Sequence, residues 1–364
     1  MTSSTSNLRV ETYREIGALP EAVLAALDCA EASDIEQGWP WLDNLVRTVF
    51  AADPGVAVHV LYGGDEVLAV LPIRHADDGQ IWSLGNFYTS LYQPYFAAGL
   101  SVESLARLLG RIRQVHGTIS AMRFAPMDVD GRCYQLLLAA SRQAGLIAFP
   151  YFCFGNWHQP VDADWSSYFS ARSSQLKNSV KRKSRDFQQA GGVLEIISDQ
   201  SRVEFGISAY ESVYAASWKV PEPYPEFVPS LIRMLVAKSC LRLGVATLGG
   251  RPIAAQIWIV AHGRASIFKL AYHEEFKRYS AGTLLTAALM AQVIDTDGVK
   301  EIDYLIGDDP YKASWMTRRR ERWGIIAYNP GSIHGAIGAA REYLGRRIKP
   351  AVILLRNKLA RHLS

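Results

Sequence analysis

The sequence has 364 residues, 49% of them apolar and 20% charged, with a formal net charge of +4 at pH 7. That length is large for one hydrophobic core, so two domains are expected, and the composition is that of an ordinary globular chain, excluding disorder beyond the Ser/Thr-rich first seven residues. No apolar run approaches the roughly 20 residues needed to span a bilayer, and MTSSTSNLRVETYREIG has no apolar signal segment, so a cytoplasmic protein is expected.

Residues 8–50 hold a lead strand, LRVETY, and two helices. Pro20 stands at the start of the first helix and Pro40 near the start of the second, where a missing N–H costs little. VAVHVLY, Gly63-Gly64, EVLAVLPIRH, a DDG turn and QIWSLG then read as a three-strand antiparallel meander. The helix SVESLARLLGRIRQVHG follows, then the strand ISAMRFAP, the helix GRCYQLLLAASRQAG and the strand LIAFPYFCFG. Between the halves, DADWSSYFSARSSQLKNSVKRKSRDFQQAGG reads as an Arg/Lys-rich helix capped by Asp162 or Asp164 and stopped at Gly191-Gly192; YESVYAASWK is a further helix.

The second half repeats the meander. LRLGVATL, Gly249-Gly250, PIAAQIWIVA, a His-Gly turn and RASIFKLAY precede a helix from Thr283, a strand at Glu301, a short helix at Pro310–Thr317 and the strand WGIIAYN. The match lies in element order and turn placement, which predicts two copies of one α/β unit. The copies differ before their long helix: NFYTSLYQPYFAAGL is aromatic and uncharged, whereas HEEFKRYSAG carries Lys277 and Arg278. A strand that enters a helix through a tight loop exposes N–H groups at the helix N-terminus, a site for a phosphate-bearing ligand. The second copy is therefore the expected anion site, although most such loops bind nothing. The loop is neither a double-glycine dinucleotide fingerprint nor a P-loop.

Charge is uneven. From Gly331 to the end there are seven Lys/Arg and one acid, and Arg172–Arg185 and Arg318–Arg322 form two more basic clusters. Such faces meet phosphates, anionic glycans, nucleic acid or membrane, or are simply solvated. The tail is amphipathic around Pro350, with Ala351, Val352, Ile353, Leu354, Leu355 and Leu359 among Arg356, Lys358 and Arg361; it suits peripheral contact with an anionic membrane, or packing on the body or another subunit. Cys29, Cys133, Cys153 and Cys240 are far apart with no zinc spacing, so reduced thiols and no metal site are expected.

A meander followed by strand, loop, helix and strand is the order of the GNAT acyltransferase fold. The chain also resembles the CelD-type acetyltransferases associated with cellulose and exopolysaccharide biosynthesis, relatives of the Fem peptidyltransferases. The resemblance covers roughly Trp165 to Trp323 and rests on QLKNSVKRKSRDFQQAGG, ESVYAASWK, RPIAAQIWIVAHGRASIFKLAYH, RYSAGTLL and GVKEIDYLIGDDPYKASW in that order. The chain departs from the family at His273, where an acidic residue is common, and at Ser280-Ala281-Gly282, where Ser-Pro-Gly is common.

The resemblance implies an α/β fold with a mixed sheet in two tandem GNAT-like domains, 1–160 degenerate and 161–330 catalytic, followed by the tail at 331–364. It implies a pyrophosphate cradle of Arg278, Tyr279, Ser280, Ala281, Gly282 and Thr283, and a thioester held by backbone N–H at the strand end Ala271–Tyr272. The amine would attack acetyl-CoA or another acyl-CoA directly, with no nucleophilic Cys or Ser. Asp303 is the first candidate base, or else a buried carboxylate paired with Lys312. Tyr311 and Lys312 form a second candidate pair, Tyr311 returning a proton to the thiolate and Lys312 anchoring an acidic acceptor, or both simply capping a short helix. Trp218 and Lys219 are candidates for the acceptor side, with Trp218 favoured as core, and His273 is a candidate base or support. The expected function is N-acyl transfer to an amine, such as an amino sugar. The alternatives are a Fem-like aminoacyl-tRNA-dependent transferase, with QLKNSVKRKSR and RRRER on the RNA, and a non-catalytic scaffold of a polysaccharide complex; nucleic acid enters only in the tRNA alternative.

Overall fold

The computed structural model describes residues 8–116 and 118–362, with side chains up to residue 348. The chain opens with β1 (Leu8–Tyr13), α1 (Glu21–Glu31) and α2 (Trp39–Val49). The first meander is β2 (Val56–Gly63), β3 (Glu66–His75) and β4 (Gln80–Ser83). It is followed by β5 (Tyr95–Phe96), α3 (Val102–Val115), β6 (Ala121–Asp128), α4 (Arg132–Gln143) and β7 (Ile147–Pro160). Next come α5 (Trp165–Ser170), α6 (Ser174–Gln189), β8 (Gly192–Ile197), α7 (Val203–Ala215) and α8 (Phe227–Ala237). The second meander is β9 (Leu241–Leu248), β10 (Arg251–Ala261) and β11 (Arg264–Tyr272). The chain closes with α9 (Ala281–Ala291), β12 (Glu301–Asp303), β13 (Arg318–Tyr328) and α10 (Ile333–His362).

The fold is mixed α/β and forms two compact units. One comprises residues 1–28, 52–153 and 322–364; the other comprises 29–51 and 154–321. This division departs from a simple split at residue 160. Residues 29–51, with α2, belong to the second unit, because Asn44 Nδ2 donates to Phe227 O and Trp41 packs edge-on to Phe227 and Phe268. Most of β13, with α10, belongs to the first.

Each unit repeats one topology. In the first, β2, β3 and β4 pair antiparallel, α3 crosses over, and β6 pairs parallel with β4. In the second, β9, β10 and β11 pair antiparallel, α9 crosses over, and β12 pairs parallel with β11. The core of the first unit includes Leu71, Ile81, Leu108, Phe124 and Leu137; that of the second gathers Trp258, Leu289, Val293 and Ile302 under α9. The alternating in-out pattern of the strands and the 3.6-residue spacing of the helices place these residues on facing sides.

Several elements differ from the sequence expectation. The Arg/Lys-rich stretch is two helices: Asp164 caps α5 by accepting from Ser167 N, and Ser173 caps α6 by accepting from Leu176 N. The RRRER run lies inside β13, and three of its arginines are committed to carboxylates: Arg319 to Asp308, Arg320 to Glu301 and Asp303, and Arg322 to Asp128. In α10, Arg346 donates to Pro150 O and stands 5.1 Å over the Phe149 ring, so this part of the tail packs on its own unit. The side chains of the expected amphipathic stretch 351–361 lie outside the described residues. No described helix is long and apolar enough to cross a membrane.

α9 lies close on β9 because Gly244 has no side chain. A Cβ there would stand 2.8 Å from Leu289 Cδ1 and 3.1 Å from Leu285 Cδ2. Gly244→Val therefore lowers unfolding free energy by about 1–3 kcal/mol in urea denaturation, the usual cost of overpacking. A variant as stable as the parent would contradict this packing.

Candidate functional site

The site starts where β11 and β12 part. Their ladder is short, with Arg264, Ala265 and Ser266 opposite Glu301, Ile302 and Asp303. Beyond Ser266, β11 runs on to Tyr272 while the chain after Asp303 turns aside, so this edge of β11 has no strand partner among the described residues. Unpaired edge N–H and C=O groups seek a partner, either protein, water or ligand.

The turn is fixed by side chains. Asp303 is 2% exposed and accepts from Leu305 N (2.6 Å), Asn156 Nδ2 (2.5 Å) and Arg320. Leu305 adopts φ 52°, a left-handed conformation that a non-glycine residue holds only under local constraint. Burial alone would raise the Asp303 pKa. The Arg320 charge, the Asn156 and Leu305 hydrogen bonds and the Arg264 charge outweigh it and hold the carboxyl below its ordinary range. Asp303 is thus an ionised structural carboxylate off the cavity wall, poorly suited to take a proton. Its partner is Arg320, not Lys312. Lys312 instead donates to Ile306 O (2.6 Å) and Gly307 O (3.1 Å) and pairs with Asp309 at 3.3 Å.

The opening between the strands is a cavity of about 400 Å³. Ala271 and Tyr272 on β11, Ser280, Ala281, Gly282 and Thr283 at the head of α9, and Trp218 and Tyr311 all line it. These eight residues, with Lys277, were singled out in the sequence and thus meet on one cavity. Trp218 is no core residue: it is 52% exposed and lies against the Tyr272 ring, centroids 4.5 Å apart. Arg278 and Tyr279 stand outside the lining, with Arg278 donating to the Tyr279 hydroxyl at 2.9 Å. His273 is also outside; its Nε2 meets Arg251 at 2.7 Å and its Nδ1 accepts from Glu275 N.

The head of α9 is unusual. Ser280, in its N-cap position, has φ 53° and ψ 37°, and no side chain caps the helix. Thr283 N and Leu284 N both donate to Ser280 O, which leaves Ala281 N and Gly282 N without acceptors among the described groups. In the first unit, α3 is capped differently: Ser101 Oγ accepts from Ser104 N, the position that Thr283 holds in α9. Lys277 lines the cavity, and Lys183 of α6 donates to Arg278 O, so cations flank the loop that leads into α9.

Gln256, Tyr304 and Trp315 are among the cavity residues that the sequence reading did not assign to the site. Gln256, 1% exposed, donates to Gly282 O (2.7 Å) and Thr286 Oγ1 (2.9 Å) and accepts from Trp258 Nε1, pinning the first turn of α9 to β10. A lone Gln within the apolar strand RPIAAQIWIVA is the signal that would have found it. Tyr304 has a buried hydroxyl with no hydrogen bond formed, and Trp315 closes the wall beside it. Burial, then the Asp309 charge, pushes Tyr311 up to about 12.

Behind Trp218 lies a cationic cluster. Lys269 pairs with Glu222 at 2.7 Å, and Lys219 stands 5.7 Å over the Tyr214 ring. Burial, then the Lys269 charge, lowers Lys219 to about 8, so a fraction of it is neutral near pH 7.

Residues 174–313 match the family model described as an acetyltransferase (GNAT) domain, which supports the second unit as a transferase domain. No curated protein sequence matches the chain. Among solved structures, FemX is similar at 11% identity over 87% of this chain and 97% of that one, with TM-score 0.59. The C-terminal domain (DUF2156) of a protein assigned as a lysylphosphatidylglycerol synthetase from Agrobacterium fabrum is similar at 15% identity, over 87% and 95%, with TM-score 0.54. A tandem GNAT protein from the clavulanic acid biosynthesis pathway matches at 14% identity over 89% and 99%, with TM-score 0.49.

The depressed Lys219 pKa has a signed consequence. The folded state releases this proton near pH 8 while the unfolded chain keeps it to about 10.5, so the charged Lys219 costs stability at pH 7 and the cost fades as pH rises between those values. Lys219→Met is expected to raise unfolding free energy by about 1 kcal/mol at pH 7, after allowance for partial solvent screening, and by less at pH 9.5. An equal gain at both pH values in denaturant titrations would contradict the shift.

Proposed function

We propose that the second unit is an N-acyltransferase that takes an acyl group from acyl-CoA, acetyl-CoA foremost, and passes it to an amine. One observation carries this reading: the uncapped head of α9 and the unpaired edge of β11 open onto the same cavity. A phosphate-bearing thioester has complementary parts, an anionic end and an extended amide-containing arm. The pyrophosphate sits on Ala281 and Gly282 N–H, assisted by Lys277 and Arg278. The arm runs along Leu270–Tyr272, pairing with the free strand edge as an added strand would. A β11 N–H then polarises the thioester carbonyl, and the amine attacks it directly.

Attack forms the C–N bond, collapse of the tetrahedral adduct breaks the C–S bond, and the thiolate leaves. Tyr311, on the cavity wall, donates to that thiolate. Lys219, whose pKa burial and the Lys269 charge lower to about 8, takes the proton of the amine through water. The exposed ring of Trp218 is suited to stack on a sugar face, which favours an amino sugar acceptor of envelope or exopolysaccharide assembly. Peripheral membrane contact through residues 351–361 fits such a setting, on the cytoplasmic side.

A second reading, an aminoacyl-tRNA donor, is favoured by the groove on α6 lined by Gln175, Asn178, Lys181, Arg182 and Arg185. The committed arginines of β13 weaken it, since they are not available to a phosphate backbone.

Thermal-shift titration with CoA and acetyl-CoA tests the leading reading. The wild type should gain about 2.7 kcal/mol of stability at a hundred times Kd. Gly282→Trp should lose the response, because its indole fills the space beside Tyr272, where a Cβ would lie 3.8 Å from Cδ1. No shift at millimolar CoA in folded protein would sink the acyl-CoA reading, and tRNA binding that weakens steeply with salt would then favour the second.

A further inference from the structure

The first unit holds a group of side chains that acyl transfer does not use. His59 on β2, His75 at the end of β3 and His116 at the C-terminus of α3 converge, and one ligating nitrogen from each lies within 4.8 Å of the others. The His75 and His116 rings are 3.9 Å apart between centroids. The backbone explains why they meet. In the antiparallel register His59 faces Leu71 on β3, and His75 lies four residues farther along, on the same face of the sheet. α3 packs over β1 and β2 and brings His116 down onto that face.

Two details distinguish this from ordinary core histidines. His59 is 2% exposed, yet its Nε2 has no hydrogen-bond partner, and His75 Nε2 is likewise buried and unpartnered. A buried imidazole nitrogen left unpaired costs stability unless something occupies it. On the other side of the His59 ring, Nδ1 meets Thr12 Oγ1 at 2.8 Å, the residue opposite it in the β1–β2 ladder. A hydroxyl bonded to the far nitrogen in this way orients a ligating ring and fixes which nitrogen carries the lone pair. Burial leads in holding all three imidazoles below their ordinary range, which keeps them neutral, as metal ligation requires.

We propose that His59, His75 and His116 form a binding site for a divalent transition-metal ion of the Zn²⁺ or Co²⁺ class. Imidazole nitrogen is a favoured donor for these ions, and three protein ligands leave a tetrahedral ion one position for water. A bound ion with Zn–N near 2.1 Å would draw the nitrogens to about 3.4 Å apart, a small contraction of side chains alone. Arg14, held by Pro54 O at 3.1 Å, has a charge that reaches the cluster and moderates affinity for the cation. The site lies wholly in the first unit and is independent of the acyltransferase reading.

The test uses the untagged full-length chain, stripped with chelator and dialysed. Zn²⁺ binding is read by calorimetry and by metal content after gel filtration, and Co²⁺ binding by visible absorption. The expected result is one ion per chain, a tetrahedral Co²⁺ spectrum and a raised melting temperature. His116→Gln, at the partly exposed ligand, and His75→Gln should each weaken Zn²⁺ binding by about 100-fold or more, and Thr12→Val by about 10-fold. Circular dichroism without metal checks that each variant is folded. Zn²⁺ not retained by the wild type, or retained equally by the folded His75→Gln/His116→Gln double variant, overturns the proposal.

Discussion

Asp303 is the residue at which the sheet of the second unit divides. It is the last residue of β12 opposite β11, and its carboxylate draws back Leu305 N, so the chain turns off the β11 edge within two residues. Arg320 and Asn156 make that buried charge tolerable; a buried carboxylate stripped of its cation typically costs several kcal/mol. The open edge of β11, the cavity beside it and the access of a ligand to the head of α9 all follow from this turn. A residue that reads as a general base thus does something different: it builds the opening in which the chemistry is proposed to occur.

The two units share one topology but differ at the heads of their crossover helices. Both run meander, helix, parallel strand. In the first, the Ser101 hydroxyl caps α3 by accepting from Ser104 N. In the second, a left-handed Ser280 turns its own carbonyl to Thr283 and Leu284 and leaves Ala281 and Gly282 N–H open to the cavity. Gln256 holds the first turn of α9 by its Gly282 carbonyl, so the N–H groups are positioned by a buried side chain and not by the ligand. The protein itself holds both donors in place, the arrangement that preorganisation requires of an anion site.

Much of this was legible in the sequence. The strands LRVETY, EVLAVLPIRH and LRLGVATL are β1, β3 and β9 as read, because alternation and Gly-Gly turns are local signals. The turn into α9 was also legible, since a strand, a short basic loop and a helix are contiguous in the chain, although the helix begins at Ala281 and not at Thr283. What sequence could not reveal is contact between distant residues. Asp303 pairs with Arg320 and not with the nearer Lys312, and Trp218 is drawn to Tyr272 at the cavity mouth instead of the core. The three histidines meet only because β-register and α3 bring them together. RRRER read as a basic cluster, solvated or anion-binding and an RNA contact only in the tRNA alternative, because charge alone was visible, while its carboxylate partners lie on other elements.

The central claim is that two backbone N–H groups and a strand edge receive a phosphate-bearing thioester. The most direct measurement is the backbone amide spectrum of ¹⁵N-labelled protein, followed residue by residue as CoA is added. The account predicts that the amides of Ala281 and Gly282 shift most, together with those of Leu270, Ala271 and Tyr272, while Ser104 at the capped head of α3 stays still. Saturating CoA that moves none of the α9 and β11 amides, or moves only residues of the first unit, would contradict it.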